Sequence, residues 1–286
     1  MFARWLTLIL LLIAWGAGVA AVPAAIALII MVGFVVSTMH ASPRPAAQRI
    51  GMTGHVSLWL REIATAWLVL IVCMPLERWL LRRDSGPTRV DGRTVLLIHG
   101  YINNAGAMLY LCRRLRAAGF GVHTLNLEPV YADIDHYAAA IEERLASISQ
   151  ATGVARTSLV CHSMGGLAAR AYLRRHGVQR VAQVVTLGTP HSGTESARYG
   201  LGPNARQMVP GNAWLTDLAR DEAGAWSCPM TSIYSLDDNI VVPQHLAELA
   251  GARNIAVAGI GHISLPFSAA VADLVIAQLS GDTATP

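Results

Sequence analysis

Ser158-Leu159-Val160-Cys161-His162-Ser163-Met164-Gly165-Gly166 decides the architecture. The first five residues form a short apolar run of strand type, and Gly165 onward reads as the start of a helix. A serine between strand and helix sits on a tight turn that pushes its hydroxyl out into the open. The positions two before and two after it must then be small. Gly165 meets that demand, and Cys161 stands where a G-x-S-x-G pattern has its first glycine. Cysteine is small enough to be tolerated there. The plain alternative, a serine that merely starts a helix, leaves the surrounding pattern without a role.

Outward from this turn, short β-branched runs alternate with helical stretches. The predicted strands are 94–98, 121–127, 158–162, 182–187, 230–235 and 254–258. The predicted helices are about 105–118, 134–151, 165–176, 243–250 and 267–280. This alternation predicts an α/β fold, a mostly parallel sheet of about six strands with helices on both faces. Ligands of such sheets bind beyond the C-terminal strand ends, where Ser163 falls.

A serine hydroxyl needs a base to take its proton, and the base needs a carboxylate to orient it. His262, in Gly259-Ile260-Gly261-His262 just past the last strand, is placed to hang over the sheet edge. His245 lies within a predicted helix, and His191, after the fourth strand, is expected to line the pocket. His162 and His99 are expected to support structure. Asp237 and Asp238 both follow the fifth strand, and the spacing to Ile240-Val241 favours Asp238. The oxyanion of an attacked carbonyl needs backbone N–H donors. Those of Met164 and of Tyr101, in the loop His99-Gly100-Tyr101, are the candidates. Asn103 and Asn104 are expected to support that loop.

The motifs LIHGY, CHSMGG, LGTPHSG, SIYSLDDNIV and GIGHISL, in this order over roughly residues 93–280, resemble the small bacterial lipases and esterases of the α/β-hydrolase superfamily. The resemblance implies a nucleophile at Ser163, an acid at Asp238 and a base at His262, with neither a metal nor an organic cofactor. It implies hydrolysis of carboxylic esters, acyl lipids among them, through an acyl-enzyme. An acyltransferase using the same triad and a non-catalytic membrane interaction module are the rival readings. Segment 191–229 is long for a simple connection and is expected to cap the pocket with Leu201, Met208, Val209, Trp214 and Leu215.

The remaining feature is hydrophobicity. The chain of 286 residues is 53% hydrophobic and 14% charged, against about 25% charged for an ordinary soluble domain. Residues 1–90 carry eight arginines against three acids, whereas residues 91–286 carry fourteen against fifteen. The net charge of +4 therefore belongs to the N-terminal part, which favours membrane lipids as partners and not nucleic acid. Trp5–Met39 holds no charged residue and is expected to form two membrane helices, about 5–22 and 24–39. A signal peptide is the competing reading. A third apolar helix, about 56–80, contains Ile63–Leu76, whose fourteen uncharged residues suit an interfacial or docked helix. Residues 1–90 thus read as anchor and linker and 91–286 as catalytic domain, on a bacterial inner membrane. Arg4, Arg44 and Arg49 favour the cytoplasmic side. The cysteines Cys73, Cys112, Cys161 and Cys228 form no metal-binding spacing.

Overall fold

The computed structural model describes residues 23–28, 30–35, 37, 50–82, 93–222 and 228–281. The expected membrane helix at about 5–22 lies outside them.

Six strands build one sheet: β1 (Thr94–Ile98), β2 (Gly121–Leu125), β3 (Thr157–His162), β4 (Val181–Leu187), β5 (Met230–Ser235) and β6 (Arg253–Val257). Their order is β2-β1-β3-β4-β5-β6, and every neighbouring pair is parallel. β1 is fully buried because each of its two side-chain rows faces a layer of helices. Leu96 and Ile98, with Leu159, Cys161 and Val184, face α5 (Tyr137–Thr152) and α6 (Met164–His176). Val95 and Leu97, with Val160, Val185 and Ile233, face α4 (Leu109–Ala117) and α9 (Ala269–Ser280). Strands buried on both faces read as continuous apolar runs, which is why TVLLI carries no alternation.

The sequence expectation fails in two places within this domain. Residues 243–250 form only a 3-10 turn, Gln244–Ala247, after which Glu248 is already extended. Segment 191–229 carries two short helices, α7 (Gly202–Gln207) and α8 (Ala213–Asp221). Asn212 starts α8 by accepting the N–H of Trp214 at 2.8 Å, a side-chain cap of the usual kind. Met208 and Leu215 are buried in the core beside Met164, and Val209 and Trp214 pack against it. Only Leu201, of the five capping residues expected, is largely exposed.

The N-terminal helices dock on this domain. Helix α1 (Pro23–Val35) buries Ile26 and Ile30 in a cluster with Ile63 and Ala66, against which Trp59 and Ile263 pack. Helix α2 (Met52–Trp67) continues as a π-helical stretch, Leu68–Cys73, and α3 (Glu77–Arg82) follows. Among the described residues Met52–Cys73 is the one helix long and apolar enough to cross a membrane by length and composition, and a third of it is buried inside the protein. Leu58, Glu62, Ile63, Ala66, Val69 and Cys73 form its buried face. Met52, Val56, Leu60 and Ala64 line an open groove. At 3.6 residues per turn that groove lies on the side of the helix away from Glu62.

Candidate active site

Order in the sheet reverses between β1 and β3, which opens a crevice at the C-terminal strand ends. Ser163 sits there, between β3 and α6, with φ +55° and ψ −129°. Such a backbone in a non-glycine residue costs about 1–3 kcal/mol and persists only where its surroundings hold it. Here the Ser163 N–H donates to Leu187 O at 2.9 Å. Its carbonyl accepts from Gly166 N at 3.0 Å and from Thr189 Oγ1 at 2.8 Å. A β carbon on Gly165 would stand 2.5 Å from His99 O, and one on Gly166 would run into the Thr189 side chain. The two glycines after Met164 therefore let α6 start hard against the β1 and β4 loops.

His262 and Asp238 converge on this turn from the loops after β6 and β5. His262 Nδ1 lies 2.8 Å from Asp238 Oδ2, and both residues are buried. The other oxygen of Asp238 accepts the N–H groups of Ile240 at 2.8 Å and Val241 at 2.7 Å. Asp237 turns away, accepting the N–H of Gly259 at 2.6 Å. Burial alone would lower the His262 pKa. The charge and hydrogen bond of Asp238, with a contribution from Glu62, overcome this and raise it above its ordinary value. Among the described residues no hydrogen bond joins Ser163 Oγ to His262; in ligand-free sites such bonds are often long and tighten with substrate.

Two further histidines frame the site. The ring of His162 lies 4.8 Å from that of His262, and its Nε2 donates to His262 O at 3.1 Å. Burial, aided by the nearby His262, holds its pKa far below the usual range, and with Nε2 donating, its buried Nδ1 is a bare nitrogen without a partner among the described residues. His99 donates from Nδ1 to Gly100 O at 2.8 Å and accepts the Leu127 N–H on Nε2 at 3.0 Å. Burial lowers its pKa to about 4. Both are neutral struts.

His191, expected on the pocket wall, is instead buried. Its Nε2 lies 3.0 Å from Thr186 Oγ1, and its carbonyl accepts from Arg170 at 2.8 Å. Arg170 in turn forms a buried pair with Glu222, Nη2 to Oε2 2.6 Å.

Met164 is the first residue of α6, where backbone N–H groups have no intrahelical acceptor. Tyr101 follows Gly100, and a β carbon on Gly100 would stand 2.7 Å from that of Ser163. Only glycine brings the β1 loop this close to the serine. The Tyr101 hydroxyl donates to Leu201 O at 2.7 Å and accepts the Leu201 N–H at 2.8 Å, tying the β1 loop to the exposed part of segment 191–229. Asn104 accepts the Gly106 N–H at 3.0 Å and donates to Met74 O at 3.0 Å.

Sequence reasoning passed over Glu62. It lies in the middle of α2, fully buried, and its carboxylate accepts from Ile263 N at 2.6 Å, Ser264 N at 3.1 Å and Ser264 Oγ at 2.6 Å. The signal was available: a lone carboxylate inside an apolar helix is costly unless it has partners.

Residues 93–213 match the family model described as the alpha/beta hydrolase fold. The mature form of Bacillus licheniformis lipase BlEst2 superposes with a TM-score of 0.58 at 18% identity, covering 68% of this chain and 93% of that one. Aspergillus fumigatus lipase B gives 0.60 at 20% identity, covering 68% and 55%. The chain has the α/β-hydrolase fold. At these identities the likeness to the solved structures is one of fold. A triacylglycerol lipase of Burkholderia plantarii is 34% identical over 153 residues, 48% of this chain and 42% of that protein. The chain thus spans less than half the length of the curated relatives it matches.

Proposed function

We propose that the chain is a serine hydrolase that cleaves carboxylic esters, acyl lipids among them, through an acyl-enzyme. The observation that carries this reading is the buried His262–Asp238 pair at 2.8 Å, converging on a serine held at φ +55°. The relatedness to a triacylglycerol lipase supports the ester class. In this mechanism Ser163 Oγ attacks the ester carbonyl while His262 Nε2 takes its proton. The carbonyl oxygen, now an anion, is received by the N–H groups of Tyr101 and Met164. Asp238 holds Nδ1–H and faces the imidazolium that forms. His262 passes its proton to the departing alcohol, leaving the acyl group on Ser163. A water then gives its proton to His262 and attacks the acyl carbon. As the carboxylic acid leaves, the proton returns to Ser163.

The proposed setting is a membrane surface. Met52, Val56, Leu60 and Ile71 expose apolar surface on the helix whose other face is docked on the hydrolase. In this reading Met52–Cys73 lies along the bilayer and does not cross it, keeping the site beside lipid.

The test is Ser163→Ala in the full chain in detergent, assayed on p-nitrophenyl esters of graded acyl length and with a fluorophosphonate label. Loss of both turnover and labelling is expected, with the thermal midpoint retained. Wild-type turnover in the variant would overturn the assignment.

A further inference from the structure

We propose that Glu62 is a positioning residue for the base His262, so that α2 belongs to the active centre although it precedes the hydrolase fold. The proposal rests on the hydrolase reading above.

Glu62 is gripped by the residues on either side of His262. Ile263 and Ser264 donate three hydrogen bonds to its carboxylate. A β carbon on Gly261 would collide with the same carboxylate. The loop therefore wraps around Glu62, and His262 is the residue at the turn of that wrap. Its remaining backbone contacts come from the hydrolase itself: His262 N donates to Asn239 Oδ1 at 3.1 Å, and His262 O accepts from His162. Arg61, next to Glu62, donates to Gly259 O at 3.0 Å. The base loop is thus held from below by the sheet and from the side by α2.

The far end of the same helix reaches the opposite loop of the site. Met74 O accepts from Asn104, and the Cys73 carbonyl packs against Gly106, in the segment that follows Tyr101. Asn126, which accepts the Ala105 N–H at 2.8 Å, donates to Glu77 at 3.0 Å. One helical strap therefore touches the loop of the base and the loop of the oxyanion donor.

Charge adds a second role. The titratable groups facing His262 are Asp238 after β5, His162 at the end of β3 and Glu62 on α2. Those facing Glu62 are His262 and Asp238, with the hydroxyl of Ser264. Among the described residues no arginine pairs with the Glu62 carboxylate. Burial raises the Glu62 pKa, opposed by the bonds from Ser264 and Ile263 and by His262. A deprotonated Glu62 favours the imidazolium that His262 becomes during acyl transfer, since its charge helps to raise the His262 pKa.

The experiment compares wild type, Glu62→Gln and Ser264→Ala as full chains in detergent, reading kcat, KM and the pH profile of kcat/KM. Glu62→Gln is expected to lose about 10- to 100-fold in kcat, with KM changed less than about twofold. Its acid limb should move to lower pH by about half a unit or more, since a negative charge beside the base is gone. Ser264→Ala keeps the charge, so a several-fold loss of kcat without a shift of the limb is expected. Wild-type kcat and an unmoved limb in Glu62→Gln would overturn the inference, as would a loss confined to KM. Should Glu62→Gln fail to fold, Glu62→Asp and Ser264→Ala take its place, and wild-type kcat in both would overturn it. Serine-dependent turnover in the wild type, measured against Ser163→Ala, separates this failure from that of the hydrolase reading, whose loss overturns both.

Discussion

Asp238 meets His262 with one carboxylate oxygen, 2.8 Å from Nδ1, and fixes the other on the N–H groups of Ile240 and Val241. A carboxylate anchored in this way cannot swing away from the imidazole. Asp237, one residue earlier, spends its Oδ2 on Gly259 N instead. Asp238→Asn is therefore expected to lower kcat by about 10⁴-fold, as an amide favours the wrong tautomer of the base. Asp237→Asn, which weakens a loop contact, is expected to cost less than about tenfold on the same scale. Steady-state kinetics on both variants checks the ranking, and the reverse order would move the role to Asp237.

The pH dependence follows from His262. Its pKa stands above the ordinary 6.5, because Asp238 and then Glu62 outweigh burial. Only the neutral ring can accept the serine proton, so kcat/KM should rise with pH through a value above 6.5. Stability runs the other way. A group whose pKa is raised in the folded state stabilises fully below its unfolded value and loses that contribution as pH rises through the folded one. Glu62, also raised, acts in the same direction from its ordinary 4.5 upward. The thermal midpoint should thus fall across the range in which activity rises. A midpoint that climbs in step with kcat/KM would contradict this account.

The sheet was legible because strands such as TVLLI and SLVCH are buried on both faces and leave an unbroken apolar run. The turn at Ser163 was legible because its sterics restrict the residues around it. Residues 243–250 were not, since a few apolar residues after Pro243 look the same whether they form a helix or a packed 3-10 turn. Helices α7 and α8 hide behind Gly202, Pro203 and Asn212, which read as loop until one sees that Pro203 opens one helix and Asn212 caps the other. Glu62 carried a signal, a carboxylate in an apolar helix, but its partners at 263 and 264 are about 200 positions away and could not be read.

Gly100 tests how closely the β1 loop must approach the serine. A β carbon there would lie 2.7 Å from Ser163 Cβ and 3.2 Å from Oγ. Neither side can yield freely, since Ser163 is pinned through both its N–H and its carbonyl. Gly100→Ala should push the oxyanion loop and the nucleophile apart and lower kcat by about 10²-fold. The rate of fluorophosphonate labelling should fall in parallel. Unaltered labelling would mean that the loop can retreat without harm.

Glu222 is the sole acidic partner of Arg170 among the described residues, and that guanidinium is almost wholly buried. Truncation leaves a charge inside the protein with only the His191 carbonyl and ring beside it. Glu222→Ala should therefore destabilise the fold by about 3–5 kcal/mol. The reading is a thermal or urea midpoint on the purified full chain, and a loss under about 1 kcal/mol would show that water or a rearranged neighbour replaces the carboxylate.

A proposed side of the membrane can be argued from the docked helices and the placement of arginines. Helix α1 is docked on the α/β domain through Ile26 and Ile30, and Gly33 lies against Asn239 beside Asp238. Helix α2 holds Glu62 and Arg61 against residues 259–264 at its middle. Were it to cross, that loop would have to sit at the centre of the bilayer. We propose Trp5–Val22 as the crossing segment, an uncharged stretch that would span about 27 Å as a helix. On its N-terminal side stands Arg4; on the other follow Arg44, Arg49, Arg61 and Arg78. On the positive-inside bias we propose that the α/β domain lies in the cytoplasm. Reporter fusions after Pro286 in a bacterial host decide it: a fluorescent green protein and inactive alkaline phosphatase are expected. An active phosphatase with a dark fluorophore would put the domain outside and require the arginines to have crossed.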